Sequence, residues 1–243
     1  MPPAVDAPPE TPGPTADPVP DDVPDDVPDD LPDELPDRSP ELSTIQSLLD
    51  RANAAVLANQ PDLAARFYRQ AIALAAADNP QRVVAHLGLG LLLNQQGEPA
   101  QAIAQFDQAI ALAPTSAIGY ELRGLALFDL ERWDEAIASL QQAVERDPQN
   151  PSIRVSLANV LYERQDFEQA IAQLRLVIDL MPNQPQAHYN LGLALDDRGQ
   201  LPEAIAEYEK ALAIDPQNRD IQAALDRARA ALQNRNPPTP PSE

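Results

Sequence analysis

Shifted against itself by 34 residues, the chain matches through four consecutive units, 83–116, 117–150, 151–184 and 185–218. A period of this length belongs to a stacked helical hairpin: one hairpin cannot bury its own apolar face, whereas copies laid side by side can. A looser first unit opens at Ile45, within the segment 43–82, and carries four additional residues, Asp78 to Gln81, worth about one helical turn. No stretch carries a strand pattern, so the expected fold class is all-α.

The register of the repeat is written in residue size. Position 8 of the five units is Ala52, Gly90, Gly124, Ala158 and Gly192, and position 20 is Ala64, Ala102, Ala136, Ala170 and Ala204. Small side chains at these positions let two antiparallel helices approach closely, where a larger group would prop them apart. Position 27 (Ala71, Ala109, Ala143, Val177 and Ala211) predicts a second close contact, with the next unit. Leu93, Leu127, Leu161 and Leu195 on the first helix, and Ile103, Ile137, Ile171 and Ile205 on the second, sit at helical spacing from those slots. Each helix therefore has one buried stripe.

Punctuation agrees with the period. Pro114, Pro148, Pro182 and Pro216 close the second helices, because an interior proline removes a backbone donor and clashes with the preceding turn. Asn150 before Pro151 reads as a helix cap followed by a first-turn proline, and Ser116 as a cap for the helix beginning near Ala117. Gly97 and Gly199 fit the turn between paired helices, although Asn59, Glu131 and Gln165 hold that slot in the other units. Beyond the last unit, residues 219–234 place Ile221, Leu225, Ala228 and Leu232 on one face among polar neighbours, as a terminal capping helix requires. Eleven helices are expected.

On these residues the units resemble tetratricopeptide repeats. Leu191-Gly192, Leu195, Gly199, Ala204, Tyr208, Ala211 and Pro216 of the last unit have counterparts in the three units before it, and the resemblance spans about residues 45–218. His86, Tyr120, Arg154 and His188 stand where the family often has tryptophan, and Arg51 and Arg123 where leucine is common. The resemblance implies a right-handed α-solenoid of helix-turn-helix units with a C-terminal capping helix and disordered termini. It also implies a concave groove, lined by the first helices, that holds an extended peptide or a helix of a partner. Carried over residue by residue, that groove comprises Leu49, Asn53 and Val56, then Leu87, Leu91 and Asn94, then Glu121, Leu125, Phe128 and Asp129. It continues with Val155, Asn159, Tyr162 and Glu163, and ends with Tyr189, Leu193, Asp196 and Asp197. Asn159 matches an asparagine that some members use to grip a terminal carboxylate, but Leu49, Leu87, Glu121 and Val155 occupy the slots of the accompanying cations, so no such clamp is implied.

Charge narrows the partner. With 38 acids against 17 bases the net charge is −21, which argues against nucleic acid held through its phosphates and against an acidic membrane surface. A protein segment with apolar anchors and basic flanks suits an acidic groove better than an acidic one does. Residues 1–42 read as a disordered acidic arm: residues 1–40 alone hold 12 of the acids and 13 of the 27 prolines, with Arg38 as the only base. Its core, VPDDVPDDVPDDLPDELPD from Val19 to Asp37, has a proline at every fourth residue from Pro20 to Pro36, which blocks a regular helix. At roughly 3.1 Å per residue, Val19 to Arg38 reaches on the order of 60 Å if fully extended, as a spacer or solubilising brush would. A calcium loop would need a glycine turn and a closing bidentate acid that the arm lacks. The proline-rich tail, 235–243, is also expected to be disordered.

Other function classes find little footing. There is no cysteine, so disulfides and thiolate metal sites are excluded. His86 and His188 hold the same slot three units apart, too distant to share an ion, and read as packing; no metal and no cofactor is expected. Trp133 and Phe167, just before the second helix, read as aromatic packing, and Asp196-Asp197 as solvated surface. No phosphate loop and no Ser or Cys nucleophile with a His partner is visible, so the chain is not expected to be an enzyme. The longest apolar-rich run, the 11 residues Val83 to Leu93 with His86 inside it, falls short of the roughly 20 that cross a bilayer. Neither a basic segment nor an apolar core follows Met1, which points to the cytoplasm; a signal missing upstream would instead place the chain in a periplasm or at a membrane. The expected role is a non-enzymatic scaffold or adaptor that binds a partner segment in the groove and aids assembly of a larger complex. The alternative is a structural spacer or a tethered component of an envelope assembly.

Overall fold

The computed structural model describes residues 40–235, with side chains from residue 43; the expected arm and tail lie, but for their innermost residues, outside the described residues. Among the described residues there are eleven helices and no strand. They are α1 (Pro40–Leu57), α2 (Pro61–Leu74), α3 (Pro80–Gln95), α4 (Pro99–Leu112), α5 (Ala117–Asp129), α6 (Trp133–Arg146), α7 (Pro151–Glu163), α8 (Phe167–Leu180), α9 (Pro185–Asp197), α10 (Leu201–Ile214) and α11 (Arg219–Arg235). Odd-numbered helices through α9 are the first helices of the five units, and even-numbered ones the second.

Each helix packs on its neighbours in the chain, and the successive first helices α1, α3, α5 and α7 touch as well. The small residues set these distances. Ala64, Ala102, Ala136, Ala170 and Ala204 are all 0% exposed, and Ala71, Ala109, Ala143, Val177 and Ala211 are buried with them. Leu93, Leu127, Leu161 and Leu195 fill the space between helices, each contributing about 1.5–3 kcal/mol on burial. Ile137 and Ile171 are buried, whereas Ile103 and Ile205 are half-buried at the edge of the same core.

Size is matched across each hairpin. Gly192 of α9 faces Tyr208 of α10, whose side chain is fully buried, and a methyl group at Gly192 would stand 2.4 Å from Tyr208 Cε1. In the fourth unit the equivalent residues, Ala158 and Leu174, trade in opposite senses, with a larger residue on the first helix and a smaller one on the second.

The turn inside each unit has one geometry. Asn59, Gly97, Glu131, Gln165 and Gly199 all have positive φ, from 55° to 85°. The following residue then donates back to the last turn of the first helix: Gln60 to Ala55, Glu98 to Leu93, Arg132 to Leu127, Asp166 to Leu161 and Gln200 to Leu195, at 2.8–3.0 Å. This is the six-to-one bond of a left-handed helix terminus. Asn59, Glu131 and Gln165 therefore occupy a conformation that costs an L-residue about 1–2 kcal/mol.

Between units, the residue before each proline leaves the helical region: Ala113, Asp147, Met181 and Asp215 have ψ of 68–82°. Asn150 accepts from the backbone N–H of Ser152 at 3.0 Å, and Asn79 accepts from that of Gln81 at 2.9 Å. Ser116 holds the capping position of α5, but its side chain accepts no capping bond, contrary to expectation. The four additional residues of the first unit lengthen α3 at its start, making it 16 residues against 13 in α5, α7 and α9. At the far end, α11 buries Ile221, Ala224, Leu225 and Ala228 against the last unit and turns its charged face outward.

Two predictions follow from packing and turn geometry. Gly192→Ala gains about 1 kcal/mol of helix propensity but overpacks Tyr208 at a cost of 1–3 kcal/mol, so a net loss of roughly 1 kcal/mol is expected in urea unfolding. Adding Tyr208→Leu should give a double variant more stable than the sum of the single changes implies. In the turns, Gly97→Ala should destabilise and Gln165→Gly should stabilise, each by about 1 kcal/mol. Equal signs for the pair would refute backbone strain as the cause.

Candidate functional site

Two sets of polar residues are built on the first helices. One is structural. His86, Tyr120 and His188 are buried, and Arg154 half-buried, at position 4, facing the second helix of their own unit; Tyr120, Arg154 and His188 also meet the proline carbonyl that ends the unit before. His86 Nδ1 lies 2.9 Å from Gln105 Oε1, and Arg154 Nη1 donates to Gln173 Oε1 at 3.0 Å. Arg154 also donates to the Pro148 carbonyl at 2.8 and 3.1 Å. His188 Nδ1 lies 2.7 Å from Glu207 Oε2 and its Nε2 3.0 Å from the Pro182 carbonyl. The two histidines are thus committed to joining helices. Burial lowers the His86 pKa, more than its bond to Gln105 raises it. Burial also pushes the Glu207 carboxyl up, but hydrogen bonds from Lys210 and His188 outweigh it and hold the group below its ordinary value.

Arg51 and Arg123, at the position where leucine is common, keep apolar company by stacking. Arg51 lies 4.2 Å above the Phe67 ring, and Arg123 bonds Ser139 at 2.8 Å while pairing with Asp107 at 3.0 Å.

The second set is the face of the first helices outside their buried stripe. Leu91, Asn53, Asp129, Asn159, Glu163 and Asp197 are exposed there, Leu91 by 42%. Val56, Leu87, Asn94, Glu121, Leu125, Phe128, Val155, Tyr162, Tyr189, Leu193 and Asp196 are half-buried. Leu87 and Leu193 partly pack against the core, so they serve the joint between units as well as the surface. Leu49 departs from the expected groove. It is 3% exposed and belongs to the first core cluster, because the additional turn of α3 lies over this part of α1, where Gln81 donates to Gln46 at 2.9 Å.

Hydrogen bonds run along this face from one unit to another. Asn94 Nδ2 donates to Asp129 Oδ2 at 2.7 Å, and the Tyr162 hydroxyl donates to Asp197. Both links span 35 residues, one repeat plus one, and that spacing of a polar residue and an acid was readable in the sequence. Tyr68 donates to Asn53 at 2.7 Å and so occupies the first asparagine of the face. Phe128 and Tyr162 are buttressed edge-on by Trp133 and Phe167, at centroid distances of 5.2 and 5.6 Å; these two aromatics are the first residues of α6 and α8.

Between α7 and α9 the face sinks into a concavity of about 240 Å³. These two helices approach less closely than the other successive first helices. Phe128, Ala158, Leu174 and Leu193 make the apolar part of the wall, and Asn159, Tyr162, Glu163 and Asn190 the polar part. Leu174 and Asn190 escaped the sequence reading: Leu174 belongs to a second helix and shows only where two first helices part, and Asn190 lies at a position with no repeated residue type.

The electrostatics of the face are acidic. Burial, and then the neighbouring Asp147, raises Glu121. Burial, and then Asp197, raises Asp196, against the opposing pull of Arg227 and Arg235. Burial and the bond to Asp197 raise the Tyr162 phenol, so it stays a donor. Among the described residues, no three His, Asp, Glu or Cys side chains are grouped to hold a metal ion, and no helix is long and apolar enough to cross a membrane.

Sequence profiles described as tetratricopeptide repeat match residues 49–117, 127–194 and 185–218. A search of curated proteins gives no match. Among solved structures, the MamA protein is similar, with 26% identity and a TM-score of 0.63 over 72% of this chain and 93% of its own. YrrB, described as a TPR protein with an unusual peptide-binding site, has 21% identity and a TM-score of 0.63 over 77% of this chain and 98% of its own. A MamA structure spanning residue 41 to the end, from Desulfovibrio magneticus RS-1, has 16% identity and a TM-score of 0.64 over 72% and 97%. The last two likenesses are likenesses of fold.

Glu207 gives a pH test. A carboxyl held below its ordinary value stabilises the fold at neutral pH, and that contribution is lost as pH falls through the lowered value. Glu207→Gln should cost about 1–2 kcal/mol at pH 7, in keeping with hydrogen bonds to charged groups, and much less near pH 3. A cost independent of pH, measured by denaturant unfolding, would rule out the ionised Glu207 carboxylate as its source.

Proposed function

The chain belongs to the tetratricopeptide repeat family, and from that premise we propose that it is a non-enzymatic adaptor, binding a peptide or helix of a partner protein along its first helices to help assemble a larger complex. Protein–protein interaction is the general business of this fold. The observation that carries the finer reading is the row at position 9 of units two to five, Leu91, Leu125, Asn159 and Leu193. The hairpins close without it: the buried contacts inside each unit come from positions 8, 11, 20 and 24. Apolar side chains left partly in water along one row, here interrupted by Asn159, commonly mark a binding surface. The solved structure of YrrB, which shares the fold, is described as carrying a peptide-binding site, and that supports a similar use of the fold here.

The partner would lie along α5, α7 and α9, with Phe128, Tyr162 and Tyr189 as aromatic anchors. Aromatic residues of this kind supply large contact area at low conformational cost. Their ring partners Trp133, Phe167 and Tyr208 hold them in place before any partner arrives, which lowers the entropy lost on binding.

Leu125→Arg combined with Leu193→Arg should leave helicity and the melting temperature nearly unchanged, since long cationic side chains at half-exposed sites can turn their charge to water. Proximity crosslinking in the native cell, followed by identification of the captured peptides, should show crosslinks to α5, α7 and α9 that vanish in this variant. Unchanged capture would sink the assignment of the groove.

A further inference from the structure

Resting on the adaptor reading, we propose that the concavity between α7 and α9 takes one apolar side chain of a partner segment together with a lysine or arginine within about one helical turn of it, the cation meeting Glu163 and Asp197. At about 240 Å³ the concavity is smaller than the roughly 300–1,000 Å³ typical of small-molecule sites, and its floor of Ala158, Leu174 and Leu193 suits a single Leu, Ile, Met or Phe. Asn159, at its rim, makes no side-chain hydrogen bond among the described residues, leaving both an amide donor and an acceptor for the backbone of a bound segment.

The charge beside this cavity is uncompensated. Glu163 lines the opening and forms no ion pair among the described residues. Asp197 receives only the neutral hydroxyl of Tyr162, which leaves most of its acceptor capacity and all of its charge available. The nearest arginines of α7 and α9 point elsewhere: Arg164 pairs with Asp134 at 3.1 Å, and Arg198 pairs with Glu168. Arg227 and Arg235 of the capping helix act on Asp196, so the free negative charge is concentrated on Glu163 and Asp197. A cation arriving at these carboxylates adds charge-assisted bonds and is steered there by the field of the acidic face.

Residues 1–39 offer Arg38 as their only base among 12 acids, and residues 236–243 have no base, so neither stretch fits this description. The occupant proposed is a basic, apolar segment of another protein.

The test is to pan a display library of random peptides, roughly 12 residues or three helical turns long, against the full chain. Enriched peptides should pair Leu, Ile, Met or Phe with Lys or Arg at a separation of about four residues or fewer. In fluorescence anisotropy with a synthetic copy of an enriched peptide, two changes should each weaken binding at least about tenfold: Glu163→Gln with Asp197→Asn in the protein, or Lys to Glu in the peptide. The peptide change leaves the protein's folding untouched, and far-UV circular dichroism checks the protein variant. Raising salt from about 0.1 to about 1 M, which shortens the screening length from about 10 to about 3 Å, should weaken binding as well. Peptides enriched without a base, or affinity indifferent to both charge changes while Leu125→Arg with Leu193→Arg abolishes it, would overturn this proposal and leave the adaptor reading standing. Binding indifferent to every groove substitution would overturn both, and a library that yields no binder would count against the basic, apolar occupant.

Discussion

The contact on which the rest of the molecule depends is the close approach of backbones at the small-residue slots. Five alanines at position 20 are completely hidden, and the residues at position 27 repeat the arrangement towards the next unit. Once those distances are fixed, the larger leucines interlock in the only space left, and interior packing at crystal-like density makes that space unforgiving. Stability in such an array is close to a sum of unit and nearest-neighbour terms. That is why the last unit needs α11: without Ile221, Leu225 and Ala228 upon it, the outer side of α9 and α10 would stand in water.

The same constraint produces the binding face as a by-product. A first helix that spends one stripe on its hairpin partner and the flanks of that stripe on neighbouring units has one remaining side, and repetition aligns those sides into a strip. Small irregularities then decide what the strip can do. Where α3 gains a turn, it covers α1 and takes Leu49 into the core. Where α7 and α9 part, the strip opens into a concavity floored by Leu174. Binding capacity therefore lies in departures from the repeat, whereas folding lies in its regularity.

That division explains what could be read from the sequence. Helix pairing, the number of helices and the capping helix were legible because residue size is selected by contact distance at the same position in every unit, as the five alanines at position 20 show. The left-handed turn was half legible, since Gly97 and Gly199 announce it while Glu131 and Gln165 adopt it against their preference, held there by the six-to-one hydrogen bond. Ser116 looked like a cap, but its hydroxyl does not reach the N–H groups beyond it. At the candidate site, sequence position could say which side of a helix Asn159, Tyr162 and Leu193 occupy. It could not say how far apart two helices stand, because that depends on the summed fit of residues from four helices.

The polar side chains show how an acidic chain keeps a long array together without depending on surface ion pairs, which are worth about 0–1 kcal/mol each. Bonds between elements are made by His188, Arg154, Tyr68 and Ser139, mostly to uncharged acceptors, and are little affected by net charge. The acids are thus left free to collect on solvent-facing surfaces. Some of them pair locally, as Glu135 does with Arg132 and Glu209 with Arg229. Beside the concavity of α7 and α9 Glu163 and Asp197 form no ion pair, so the place where the helices part also carries unanswered negative charge. Shape and field coincide at one point on an otherwise repetitive surface, and that coincidence, more than the groove as a whole, is what can distinguish one partner from another.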